Sequence, residues 1–259
     1  QCLLRQGLRV ECAGVSPLSG GIEGAITTAL LSLHAHATIA PINGQKIIIK
    51  SVDQKKEQQF DWAYQLPVNG ELDLLKGVYN RIQKDHPFQM TGLQLSTFVD
   101  APAGSGLGTS STLVVAIIGA FAEMLKLPLG DYDIAHYAYE IERNDLQLAG
   151  GRQDQYAAMF GGFNFMEFSA NDKVIVNPLR IRQDYLNELE NNLVLYFTST
   201  TRESAAIIME QQRNVKEKNS KSIDAMHKLK EQAKMMKEAL LIGKLDQIGE
   251  ILDYGFRQK

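Results

Sequence analysis

Pro102-Ala103-Gly104-Ser105-Gly106-Leu107-Gly108-Thr109-Ser110-Ser111 is the stretch on which the reading of this chain turns. Three glycines alternate with Ser105 and Leu107, and three hydroxyl residues close the run. Leu93 to Val99 alternates as a strand just before it, and the apolar run Leu113 to Leu125 follows. The layout is strand, glycine loop, helix start. Glycines let a backbone turn tightly and approach a ligand closely. A helix N-terminus presents unpaired N–H groups and a partial positive charge, which attract phosphate. The segment therefore reads as a phosphate cradle.

Known phosphate loops narrow this. A P-loop requires Gly-x-x-x-x-Gly-Lys-Ser/Thr, and residues 101–125 contain no lysine. A dinucleotide fingerprint requires glycine at the sixth place from Gly104, where Thr109 stands. The glycine loop of protein kinases lies between two strands, not before a buried helix. Without a lysine, phosphate must be held by backbone N–H groups and the helix end, with Thr109 and Ser110 adding hydroxyl contacts. A plain glycine-rich turn before a core helix is the bland alternative.

The rest of the chain sets bounds. Its 259 residues suffice for one large domain or two modest ones. Hydrophobic content of 44% and charged content of 22% are ordinary for a globular protein. A net charge of −3 gives no electrostatic case for nucleic acid. Cys2 and Cys12 form neither a disulfide framework nor a metal set, which points to a reducing cytoplasm. No apolar stretch reaches the roughly 18 residues of a membrane span, and no signal peptide is expected.

Taken in order, residues 1–31 give no clear pattern, and Ala25 to Leu31 fits helix or strand. Ser32 to Ile42 reads as a strand, Asn43-Gly44 as a hairpin turn and Lys46 to Val52 as the returning strand. Glu71 to Lys84 has helical spacing, and Tyr132 to Arg143 is a further helix after the break at Pro128. Phe163 to Phe168 and Lys173 to Val176 read as paired strands, and Asn192 to Thr198 as another. Beyond Thr201 the pattern is helical, broken by Gly243. Strands first and helices last argue an α+β fold.

The run Pro-x-Gly-x-Gly-Leu-Gly-Thr-Ser-Ser resembles the phosphate loop of the GHMP kinases, the superfamily of galactokinase, homoserine kinase and mevalonate kinase. The resemblance implies a fold with a ribosomal protein S5 domain 2-like N-terminal part and an α-rich C-terminal part. It implies ATP and Mg²⁺ as cofactors, with Pro102, Gly104, Ser105, Gly106, Leu107, Gly108, Thr109, Ser110 and Ser111 around the nucleotide. Ser110 would also reach the metal. Residues 1–180 would form the ATP-binding domain and 181–259 the start of the second.

Gly150-Gly151-Arg152-Gln153-Asp154-Gln155 looks like the loop that carries the catalytic aspartate in the sugar-kinase branch. Asp154 is the expected base, with Arg152 beside it to hold charge. A helix N-cap is the alternative for Asp154. In Tyr139-Glu140-Ile141-Glu142-Arg143, Glu142 matches the family's metal-binding glutamate, with Glu140 in reserve; either could instead face solvent. Arg202, in Thr198-Ser199-Thr200-Thr201-Arg202-Glu203-Ser204, would meet a substrate phosphate unless the segment is a plain Ser/Thr cap.

Within the superfamily, Ala149 to Ala158 and Ser32 to Ile39 look most like the D-glycero-D-manno-heptose 7-phosphate kinases. That branch phosphorylates the anomeric hydroxyl of the sugar phosphate with ATP. Its product feeds nucleotide-activated heptose synthesis. Other branches (galactose, fucose or mevalonate type) and a non-catalytic ligand sensor on the same fold are the alternatives. Two departures stand out. Where the branch has Gly-Gly-Gly-Thr-Asp before Ser-Pro, this chain has Val10, Glu11, Cys12, Ala13 and Gly14. The superfamily's late glycine-rich motif has no counterpart after Gly162, so a C-terminally truncated chain is expected. The long C-terminal helices could pack within the chain or against a second copy, which leaves a homodimer open.

Overall fold

The computed structural model describes residues 2–15, 24–102, 104–169, 173–194, 196, 209–210, 213–214, 217 and 219–258. The strands are β1 (Cys2–Val15), β2 (Gly24–Pro41), β3 (Lys46–Ser51), β4 (Lys56–Asp61), β5 (Leu93–Val99), β6 (Asn164–Phe168) and β7 (Val174–Pro178). The helices are α1 (Asp73–Asp85), α2 (Thr109–Leu125), α3 (Asp131–Glu140), α4 (Gln153–Phe160), α5 (Gln183–Asn192), α6 (Ser220–Ile242) and α7 (Gln247–Gln258), with a π-helical turn at Ile141–Asp145. The contacts divide the chain into two units. One holds 1–8, 31–148 and 154–159; the other holds 9–30, 149–153 and 160–259.

In the first unit the strand order is β4-β3-β5-β2. β3 runs parallel to β5, with Ile47 opposite Leu93 and Ile49 opposite Leu95; β2 runs antiparallel to β5, with Ala37 opposite Thr97. Alternation puts Ala35, Ala37 and Ile39 of β2, Ile47 and Ile49 of β3, and Leu93 and Leu95 of β5 on one buried face. Val78, Tyr79 and Ile82 of α1 and Val114 to Phe121 of α2 belong to the same core. Each fully buried Val, Leu, Ile or Phe side chain among these contributes about 1.5–3 kcal/mol. Helix α2 is apolar nearly all round because it lies inside this core.

The second unit holds the N-terminal half of β2, whose Ile26 is opposite Met166 of β6, and β6 pairs in turn with β7. Thr27 Oγ1 donates to the Ala233 carbonyl of α6 at 2.7 Å, so a buried hydroxyl on the strand is satisfied by the helix. Met236, Ala239 and Leu240 of α6 pack with Ile248 and Ile251 of α7. Gly243 ends α6 in the left-handed region at φ 73°, the role glycine fills most readily.

Several sequence expectations change. Asn43-Gly44 turns the chain, but β2 and β3 form no hairpin, because β5 lies between them. The Ile42 N–H donates to the Gly92 carbonyl at 3.1 Å, and a Cβ on Gly92 would stand 2.2 Å from the Gly44 oxygen. The bare backbone at Gly92 thus lets β5 start against that turn. Ala25 to Leu31 is strand. β4 and α5 are additional elements, and Asn192 closes α5 instead of opening a strand. The helix expected to reach Arg143 stops at Glu140 and gives way to the π turn. Residues 195, 197–208 and 16–23, among them Arg202, Ser16 and Pro17, lie outside the described residues.

Candidate active site

The glycine loop folds as its composition demands. Gly104, Gly106 and Gly108 have φ of 75°, 78° and 71°, values that L side chains adopt at a cost. Gly108 sits at the N-cap of α2, where no side chain caps the helix and no acidic residue occupies the first turn. The Thr112 hydroxyl donates to the Gly108 carbonyl at 2.8 Å and steadies that turn. The start of this 17-residue helix therefore keeps its positive end open to an anion. Ser105 Oγ, in the same loop, is buried and has no hydrogen-bond partner among the described residues.

The π turn brings an acid to this place. The Leu146 N–H bonds to the Ile141 carbonyl at 2.9 Å, one residue wider than an α-helical bond, and the Leu148 N–H bonds to the Glu142 carbonyl at 2.8 Å. Ser110 Oγ donates to Glu142 Oε1 at 3.1 Å. Glu142 is 1% exposed. Glu140 instead accepts from Asn144 Nδ2 at 2.8 Å on the outer side. Of the two expected glutamates, the one that meets the loop is Glu142.

A residue outside the expected set completes the cluster. Gln155, fully buried in α4, donates through Nε2 to Ser111 Oγ at 3.1 Å and to Glu142 Oε2. Its signal was present as the second half of the Asp154-Gln155 pair, yet nothing in the sequence distinguishes it from an ordinary helix residue. Asp154 stands inside the first turn of α4, not ahead of it as an N-cap would. Arg152 precedes that helix and falls in the second unit.

Burial pushes the Glu142 carboxyl above the usual carboxylate range. Arg143 and hydrogen bonds from Gln155 and Ser111 act against this, while the like charge of Asp154 adds to it. The cluster combines an open helix N-terminus, a hydroxyl and carboxylate pair of hard oxygens, and a second carboxylate within electrostatic reach. That set can bind a phosphate chain, hold a hard cation beside it, and accept a proton. Among the described residues no three His, Cys, Asp or Glu side chains converge as a metal cage, and no helix is long and apolar enough to cross a membrane.

The family model for the GHMP kinases N terminal domain matches residues 73–162. The chain is 46% identical over all 259 residues to D-glycero-alpha-D-manno-heptose 7-phosphate kinase of Campylobacter jejuni, covering 76% of that protein. It is also similar to the crystal structure of a D-glycero-D-manno-heptose 1-phosphate kinase from Bacteroides thetaiotaomicron, with a TM-score of 0.86 and 44% identity, covering 100% of this chain and 79% of that one. Lactococcus lactis galactokinase shares the fold at 16% identity, with a TM-score of 0.72 over 99% of this chain and 74% of its own.

Proposed function

Since the chain belongs to the GHMP kinases, we propose that it transfers the γ-phosphoryl group of ATP to the anomeric hydroxyl of D-glycero-D-manno-heptose 7-phosphate. The observation that carries the substrate is 46% identity over the whole chain to a heptose 7-phosphate kinase. Phosphorylation of the anomeric oxygen, with the phosphate already at the 7-position, gives the sugar 1-phosphate from which nucleotide activation can proceed.

The α2 N-terminus and the Gly104–Ser111 loop hold the ATP phosphates, with the three glycines allowing close backbone approach. Asp154 accepts the proton of the anomeric hydroxyl as its oxygen bonds to the γ-phosphorus. The bond from that phosphorus to the bridging oxygen breaks, and ADP leaves. Arg152, two positions earlier in the chain, is the cation proposed to balance the negative charge of the transfer, and Arg202 the one for the sugar's phosphate.

The residues present fit Mg²⁺. Magnesium takes oxygen ligands at about 2.0–2.1 Å in an octahedron, so neighbouring ligand oxygens stand about 2.9 Å apart, and the cation is held by one or two protein groups plus substrate phosphates. Ser110 Oγ and Glu142 Oε1 are 3.1 Å apart beside the phosphate loop. These two would hold the metal, which supplies neutralisation of phosphate charge. The reaction draws on ATP and is proposed to run in the cytoplasm.

ADP release from Mg²⁺-ATP, measured with heptose 7-phosphate, galactose, fucose and mevalonate in parallel, tests this reading. Heptose 7-phosphate is expected to give the highest kcat/KM. A higher value with another acceptor would move the chain to a different branch.

A further inference from the structure

We propose that Gln155 is the positioning residue of this site. Its amide fixes the Glu142 carboxylate so that Oε1 and the Ser110 hydroxyl are already paired to receive a divalent cation. The inference rests on the reading of Ser110 and Glu142 as the cation's protein ligands.

The two oxygens of Glu142 have different work. Oε2 takes a hydrogen bond from Gln155 Nε2, while Oε1 meets Ser110, whose side of the loop is exposed. Two oxygens of one carboxylate held by different donors, Gln155 and Ser110, define its rotation. The amide's own orientation is fixed by chemistry. Ser111 Oγ and Glu142 Oε2 both lie against the nitrogen, and turning the amide over would set its oxygen against a carboxylate. In this orientation both N–H bonds of the amide are used. Gln155 Oε1 is left buried without a hydrogen-bond partner among the described residues. A buried acceptor left open costs free energy, so the arrangement favours the two donated bonds over full satisfaction of the amide. Groups that orient a metal ligand typically change metal affinity 10–100-fold when lost.

The test is Mn²⁺ binding by electron paramagnetic resonance, with ADP present, in wild type, Gln155→Met, Gln155→Asn and Glu142→Gln. ADP binding without metal and the thermal midpoint are read on the same samples to report the fold. Two Gln155 variants are used so that one unstable protein does not end the experiment. Gln155→Met and Gln155→Asn are expected to bind Mn²⁺ about 10–100-fold more weakly, with metal-free ADP affinity within about threefold of wild type. Unchanged Mn²⁺ affinity in the Gln155 variants alongside a loss in Glu142→Gln overturns the positioning role and keeps the ligand. Unchanged affinity in all of them overturns the reading of Glu142 itself. Equal losses of Mn²⁺ and metal-free ADP binding would make Gln155 a general packing residue and also overturn the proposal.

Discussion

Ser110 and Glu142, 32 positions apart in sequence, are joined by a 3.1 Å hydrogen bond that ties the first turn of α2 to the π turn. One partner is exposed and the other is almost wholly buried. The pair therefore links a surface where phosphate can arrive to a carboxylate that the core holds in place.

Glu142→Gln should make the unliganded protein more stable at neutral pH. The carboxyl has a raised pKa in the fold, mainly through burial. Between the ordinary carboxylate value and the raised one, the folded state binds more protons than the unfolded state, so stability falls as pH rises through that window. The amide removes this loss. Thermal unfolding of both proteins from pH 4 to pH 8 should show a midpoint difference that opens in favour of the variant with rising pH. A wild type that gains on the variant as pH rises would contradict the burial argument.

Asp154→Asn should leave nucleotide binding near wild type and lower kcat by about 10²–10⁴-fold, the usual contribution of a general base. Its charge also raises Glu142, so the amide should not weaken the cation pair. Calorimetric ADP binding and steady-state turnover separate the two effects. Unchanged kcat would remove Asp154 from the role of base.

Gly106→Ala tests the loop's backbone alone. A Cβ there meets nothing within 4 Å, so no packing clash arises, but φ is 78°. The cost should be about 1–2 kcal/mol of local strain. With that strain felt at the phosphate contact, binding of ATP should weaken about 5–30-fold while adenosine, which has no phosphates, binds within about twofold. Equal losses for both ligands would mean that the loop does not single out the phosphates.

Gly92→Ala tests the strand order. The new Cβ would lie 2.2 Å from the Gly44 carbonyl oxygen, a backbone atom that cannot swing aside. Overpacking of this kind costs on the order of 1–3 kcal/mol. Denaturant melts should show the loss, and Gly44→Ala should not relieve it.

The parts legible in the sequence were those with local signals. Helix α2 announced itself through continuous apolar residues behind three glycines, and β5 through Leu93, Leu95, Thr97 and Val99. β4, Lys-Glu-Gln-Gln-Phe-Asp, is an edge strand with no buried residue, so it carries no hydrophobic alternation to read. The false hairpin at Asn43-Gly44 came from a sound local turn whose strands find non-local partners. At the site, Glu142 was within reach of pattern matching, yet Glu140 was separated from it only by the π turn, which leaves no mark in a helical spacing. Gln155 stayed hidden because its role lies in contacts 13 and 44 positions away.

The most direct test of the function is phosphorus NMR of the chain with Mg²⁺-ATP and D-glycero-D-manno-heptose 7-phosphate. A new anomeric sugar phosphate signal should grow in step with ADP while the 7-phosphate signal persists. ADP appearing with free phosphate and no new sugar phosphate, or no ADP at all, would contradict the assignment.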